Sequence, residues 1–208
     1  MGSEMCIRDR TNTSNELGEL FVEKDLHALF EKGHEIASHT FHHSSCRSVP
    51  LSAFATDVQQ GMKAVEHLTG CSSGNFAYPY GHVTLAAKKT LAPHLRSARS
   101  IIPGVNRPDA DLNLLRANCL YGDTANAKPV QDLILQNTRQ KGWLIFYTHD
   151  VRPNPSEYGC TPELFELAVS EAAHCGSQIL TVAQVVSQIG IAAGNARITL
   201  PQAGVLPS

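Results

Sequence analysis

From residue 23 onward the apolar residues keep changing their period, and this rhythm constrains the fold more than any single motif. Between residues 23 and 32, Leu26, Leu29 and Phe30 follow an i, i+3, i+4 spacing, and Gly33 follows as a left-handed stop, which predicts a helix. A short strand is predicted at 35–38. A second helix is expected from an N-cap at Ser52, with Phe54, Val58, Met62, Val65 and Leu68 on one face and Gly70 at its end. A strand at 75–78, a helix near 83–91 and a strand near 95–99 come next. A loop rich in Pro, Gly and Asn at 103–111 and a weaker strand at 114–118 follow. A helix over 129–141 leads into WLIFYT (143–148), whose nearly continuous apolar character predicts a strand buried on both faces. Thr161-Pro162 opens another helix, with Leu164, Phe165 and Val169 on its apolar face and Gly176 at its end. A strand at 178–180 and a helix at 182–189 complete the pattern, and a loosely packed tail is expected beyond Gly190. Strands alternating with helices of this length predict a parallel α/β sheet, either open or closed as a barrel.

With 208 residues, 42% of them hydrophobic and 17% charged, the chain can bury a sizeable core as one domain or at most two small ones. A formal net charge of −2 argues against a surface that neutralises phosphates, so nucleic acid is not expected as a partner. No apolar run reaches the roughly 18–20 residues needed to span a bilayer, and the N-terminus has no basic region followed by an apolar stretch. The six cysteines are scattered without a CxxC pair, which predicts free thiols rather than a zinc ribbon or a disulfide scaffold. The leader MGSEMCIRDR continues into no pattern that follows. The expected organisation is a foreign-looking leader over 1–15, a partial domain over 16–190 and a tail over 191–208, with the native chain beginning further upstream.

Four of the ten histidines lie in HEIASHTFHH, residues 34–43. His39 and His43 are four apart, so a chain that turns helical after the strand would place both imidazoles on one face, spaced for two ligands of one metal. The alternative is a histidine-rich surface turn. His34 reads as a strand-entry residue, His42 as solvent-facing or supporting, and Cys46 as a packing residue. His149, in FYTHDV, ends a strand predicted to be buried, where an imidazole needs a reason: a general acid, or a ring tied to a neighbouring carbonyl. Asp150 could orient that ring or cap the next turn. The histidine pair, Pro79-Tyr80-Gly81 and His149-Asp150 all follow predicted strands, at the carboxyl ends where α/β folds gather their chemistry.

EIASHTFHH, FAYPYG and LIFYTHD, in that order, resemble the polysaccharide deacetylases, also described as the NodB-homology domain or carbohydrate esterase family 4, over roughly residues 20–189. The resemblance implies an incomplete, distorted (β/α) barrel with its first strand missing, and a divalent metal, often zinc, held by one aspartate and two histidines. It implies His39 and His43 as the ligands, the backbone N–H of Tyr80 as an oxyanion donor in a turn shaped by Pro79 and Gly81, and His149 as general acid. The implied reaction removes acetyl groups from a carbohydrate, either an N-acetylglucosamine polymer or an acetylated polysaccharide. Two alternatives are a catalytically silent carbohydrate-binding relative and a hydrolase of the same fold acting on a non-sugar C–N bond. The sequence departs from the family twice. No TFDDG-like pair precedes His39, since Asp9 lies in the leader and Asp25 in a predicted helix, so the base and third ligand are missing. Ala77 stands where the family commonly has an arginine. Impaired activity of this chain is therefore expected, and the sequence leaves oligomeric state and compartment open.

Overall fold

The computed structural model describes residues 2–5, 22–72 and 74–189. A sheet of four parallel strands is arranged in chain order: β1 (Gly2–Met5), β2 (Glu35–Ser38), β3 (Asn75–Ala77) and β4 (Ser97–Arg99). Helix α1 (Glu23–Glu31) precedes β2, α2 (Leu51–Thr69) joins β2 to β3, and α3 (Leu85–Leu91) joins β3 to β4. The next strands are only two residues each, β5 (Asn118–Cys119) and β6 (Phe146–Tyr147), paired in parallel and separated by α4 (Ala127–Gln140). A parallel bridge between Arg99 and Leu115 carries the larger sheet toward this pair. Helices α5 (Pro162–His174) and α6 (Val182–Gln188) close the described chain. This is an α/β fold with a small, incomplete parallel sheet of the distorted (β/α) barrel kind.

The edge place beside β2 is filled by residues 2–5, within the stretch that sequence patterning sets outside the domain; Cys6, Asp9 and the tail beyond Gly190 lie outside the described residues. Helix ends follow the glycines as expected: Gly33, Gly70 and Gly176 all have positive φ. Helix starts differ more. The cap of α2 is Pro50 rather than Ser52 and makes no side-chain bond, whereas α3 begins at Leu85 because the Thr84 hydroxyl accepts from the Ala87 N–H at 3.1 Å. Thr161 caps α5 in the same way, with Pro162 in its first turn.

The principal core lies between α2, α3 and the sheet, where Phe54, Val58, Phe76, Tyr78 and Leu91 are buried. A second cluster joins α4 to α5 through Val130, Ile134, Leu164 and Ala168. WLIFYT lies between two clusters. Leu144 and Phe146 pack toward α4 and α5, while Trp143, Ile145 and Tyr147 pack toward Leu112 and Leu115. Both faces are thus covered, but the strand is shorter and less buried than expected. Its ladder partner β5 has two residues, and Trp143 instead forms an antiparallel bridge to Asn106. The expected strand at 178–180 does not form; that segment links α5 to the Thr181 cap of α6.

The end of the sheet remote from His39 and His43 is tied together by a buried polar ladder. Asn75 Nδ2 donates to Glu35 Oε1 at 2.5 Å, Ser97 Oγ donates to Asn75 Oδ1 at 2.8 Å, and the Ala183 N–H donates to Glu35 Oε2 at 2.8 Å. Glu35 therefore docks α6 under β2 and satisfies a carboxylate that would otherwise be costly to bury. The opposite, carboxyl end of the sheet is left for the site.

Candidate functional site

His39 follows β2 directly and leans toward β3, where its Nδ1–H donates to the Ala77 carbonyl at 2.8 Å. Burial is the main cause that lowers the pKa of His39 from 6.5 to about 3. The Ala77 carbonyl acts in the other direction, and the positive charges of Arg99, His43 and His149 lower it further. The ring is neutral at ordinary pH, with Nδ1 occupied and Nε2 carrying the lone pair. That Nε2 lies 3.1 Å from Nε2 of His43, with the ring centroids 4.9 Å apart.

Helical spacing is not what brings the two rings together. Residues 39–43 form no helix; the backbone turns at Thr40 (φ 66°) and His43 (φ 59°), both in the left-handed region that side chains other than glycine rarely adopt. Contacts from α2 hold this turn in place. Asp57 Oδ1 accepts from the His42 backbone N–H at 2.9 Å and from His42 Nδ1 at 2.6 Å, while the Asp57 carbonyl accepts from the Phe41 N–H at 3.2 Å. His42 is thus a latch to α2, and His34 enters β2 as expected. Sequence patterning missed Asp57. The available signal was an acidic residue set among the buried positions Phe54, Val58 and Val65 of a helix.

Gly61 completes the contact between α2 and this turn: an ideal Cβ there would lie 2.6 Å from the Thr40 carbonyl carbon and 2.7 Å from Ser38 Oγ. Gly61→Ala gains about 0.5–1 kcal/mol of helix preference but meets backbone that cannot step aside, and such overpacking costs about 1–3 kcal/mol. The expected net result is destabilisation of about 1–2 kcal/mol, measurable by urea denaturation. A more stable variant would show that the turn yields.

Tyr80 lies in a short 3-10 turn, Pro79–Gly81, that follows β3. Its φ of 57° swings the ring over the histidines, 4.6 Å from His43 and 5.6 Å from His82 between centroids, with the hydroxyl 3.2 Å from His43 Nδ1. Pro79 is buried, and an ideal Cβ on Gly81 would lie 2.2 Å from Ile101 Cγ1. Ser45 and His82 brace the floor, with Ser45 Oγ and His82 Nδ1 at 2.8 Å. Cys46 bonds the His82 carbonyl through its thiol and takes no part in the histidine pair.

His149 occupies a different position from the one expected. It is exposed rather than buried, its backbone N–H donates to the Tyr158 carbonyl at 3.0 Å, and its Nδ1 lies 3.3 Å from the same oxygen. Its ring stands beside Tyr158 and Tyr121, at 5.5 and 6.2 Å between centroids. Asp150 caps the following turn and does not orient the ring. It accepts from the Ser156 N–H at 3.1 Å and Ser156 Oγ at 2.6 Å, and it pairs with Arg152 at 2.7 Å. Burial raises the Asp150 carboxyl, but the Ser156 bonds and Arg152 outweigh it and hold it below its ordinary value.

Arg99, which stands beside Ala77 in the ladder register, is the cation that β4 brings to this end of the sheet; its guanidinium lies 5.2 Å from the Tyr147 ring centre. Among the described residues, no set of three His, Cys, Asp or Glu side chains could hold a metal ion. Asp25 accepts from the Val22 N–H at 2.9 Å and caps α1, so it is no part of the site. The five described cysteines are free thiols, as expected.

The sequence profile of a family described as Polysaccharide deacetylase matches residues 7–94. Among curated proteins none matches. The Xyl-CE4 domain of a multidomain xylanase from the hindgut metagenome of Trinervitermes trinervoides is 14% identical, covers 82% of this chain and 72% of that one, and superposes with a TM-score of 0.55. The Streptococcus pyogenes deacetylase PplD is 14% identical over 48% of this chain and 45% of that one, with a TM-score of 0.46. The Bacillus subtilis peptidoglycan deacetylase PdaC is 14% identical over 77% and 67%, with a TM-score of 0.45. This chain thus spans less than half the length of the Streptococcus protein.

Proposed function

We propose that this chain, which has the fold of the polysaccharide deacetylase family, is a metal-dependent hydrolase that removes acetyl groups from a carbohydrate. The observation that carries the reading is the convergence of His39 Nε2 and His43 Nε2 at 3.1 Å, each ring held through its other nitrogen, by the Ala77 carbonyl and the Tyr80 hydroxyl. Two imidazole nitrogens about 2.0–2.1 Å from one zinc ion stand roughly 3 Å apart, so the pair fits two ligands of such a site. Partners on the far ring nitrogens are also what metal-bound histidines require. A divalent cation held there, with zinc favoured by two imidazoles, would polarise an acetyl carbonyl and supply a water of lowered pKa.

The chain's own groups have definable tasks around that point. The Tyr80 N–H, carried on a left-handed residue between Pro79 and Gly81, serves as a backbone donor to the oxyanion. His149 protonates the departing amine or sugar hydroxyl, its Nδ1 oriented by the Tyr158 carbonyl. The faces of Tyr80 and Tyr158, 57% and 50% exposed, offer apolar surfaces on which a sugar ring can rest.

Calorimetric titration of zinc into wild type and into the His39→Ala/His43→Ala double variant tests the reading. Wild type should bind weakly, because the described site supplies two protein ligands where catalytic zinc sites usually have three. The double variant should lose more than about 100-fold in affinity. Equal binding by the two proteins would remove the assignment.

A further inference from the structure

The loop that follows β4 presents an apolar tip at the carboxyl end of the sheet. Ile101 and Ile102 are 40% and 42% exposed, and Pro103 beside them is exposed as well. Ile101 packs on Gly81, and Leu85, 67% exposed, begins the helix that leaves that turn. None of these aliphatic side chains has a task in the reaction proposed above.

Their exposure does not come from a slack loop. The Ile102 N–H donates to Ser100 Oγ at 3.1 Å, and the Ile102 carbonyl accepts from the Ala117 N–H at 3.0 Å. The Pro103 carbonyl accepts from Arg116 Nη1 at 2.8 Å. Gly104 pairs its N–H and its carbonyl with the Asn118 side-chain amide, at 2.8 and 2.9 Å. Since proline has no N–H, every backbone polar group of residues 102–104 has a partner inside the protein. A loop in water does not need this, because the solvent supplies partners. A loop that enters an apolar medium does, because bare backbone groups are costly there.

The charges beside the tip indicate which medium. Arg116, which bonds Pro103, is exposed, and the exposed Lys89 lies four residues from Leu85 on the same face of α3; Lys88 is paired with Asp111. An apolar tip flanked by cations matches an anionic lipid surface. A stable contact between two proteins takes roughly 800 Å² from each side, more than these four partly exposed side chains supply. A sugar would need hydrogen-bonding groups, and this loop uses its own internally.

We propose that residues 101–103, with Leu85 and the cations Lys89 and Arg116, dock the protein on an anionic lipid bilayer, with the carboxyl end of the sheet toward the membrane. The proposal goes beyond the hydrolase reading and does not depend on it.

Co-sedimentation of the full chain with vesicles tests it, using phosphatidylcholine alone and an equal mixture of phosphatidylcholine and phosphatidylserine. Wild type should bind the mixed vesicles about 10-fold more tightly than the neutral ones, and rising salt should shrink the difference. Leu85→Ser/Ile102→Ser should weaken binding to the mixed vesicles by about 10-fold or more, and Lys89→Gln by about 5-fold. Ile102→Trp gives a second readout: brominated lipid in the mixed vesicles should quench the added indole, with wild type, which has Trp143 alone, as the blank. Wild type that sediments no more with mixed vesicles than without lipid, a serine variant that binds like wild type, or an added indole that brominated lipid leaves unquenched overturns the proposal. So does self-association in the ultracentrifuge that the serine variant abolishes in the absence of any lipid binding, which would give the tip to a second copy of the chain. Should the serine variant fail to fold, the quenching decides. Zinc titration of the same preparations reports on His39 and His43 separately, so either reading can fail alone.

Discussion

Asp57→Ala should lower stability by about 2–3 kcal/mol, or roughly 5–10 °C in Tm, and weaken zinc binding although Asp57 bonds His42 and neither His39 nor His43. The carboxylate is buried and anchors the histidine turn through the His42 N–H and the His42 ring, at 2.9 and 2.6 Å. Alanine would leave that N–H without its acceptor and release the turn whose two left-handed residues place His39 against His43. His42 is half-exposed, so water can replace part of what is lost, which keeps the effect below that of breaking a fully buried pair. Asp57→Asn, which retains an acceptor oxygen without the charge, should lose about half as much.

The pH dependence has a definite sign. Burial raises the Asp57 carboxyl, but hydrogen bonds from His42 and Ser44 outweigh it, so its folded pKa lies below 3.8. The stability it contributes is present above that ordinary value and lost as pH falls through the lowered folded value. The Asn variant should therefore show a flatter acid limb in a plot of Tm against pH. An Ala variant that melts within about 1 °C of wild type would mean that the turn stands without α2.

Asp57 also shows where the sequence stops being legible. Local signals were readable because they depend on neighbouring residues only: Gly33, Gly70 and Gly176 end helices where φ is positive, and the period of the helix faces picks out Leu26, Phe54, Val58, Val65 and Leu164 as buried, though Phe30 is exposed and Ala168 is buried where Phe165 and Val169 were expected. Strand lengths were not, because a ladder extends only as far as its partner. WLIFYT has the composition of a long strand, yet it shortens to Phe146–Tyr147 against a two-residue partner.

The site was half legible. The proximity of His39 and His43 could be anticipated from their spacing, but its cause could not: it is a strained turn held by a helix residue from outside the motif, not a shared helical face. The direction of the Tyr80 ring depends on one positive φ that no composition announces. Asp150 could have oriented His149 or capped a turn, and only Ser156, six residues on, decides for the cap. The buried ladder from Glu35 through Asn75 to Ser97 joins three strands and reads from no single one of them.

In a complete, active version of the domain, His149→Ala should lower kcat for acetate release from an acetylated sugar oligomer by about 10²- to 10⁴-fold, the contribution typical of a general acid, while zinc affinity stays at its wild-type value. His149 is held at the carboxyl end of β6 by the Tyr158 carbonyl, close enough for its charge to lower the pKa of His39, yet exposed enough to reach a substrate. With Nδ1 donating to that carbonyl, the proton that the proposed general acid would transfer sits on Nε2. A general acid matters in proportion to how much its leaving group needs a proton. The loss should therefore be largest for an amide or a sugar ester and fall below about 10-fold for an acetate ester of a nitrophenol, which leaves as a stable anion. Zinc content measured on the same preparations separates the other possibilities. Metal lost together with activity would make His149 a ligand, an equal loss on every leaving group would make it a substrate-binding residue, and an unchanged rate would remove it from the reaction.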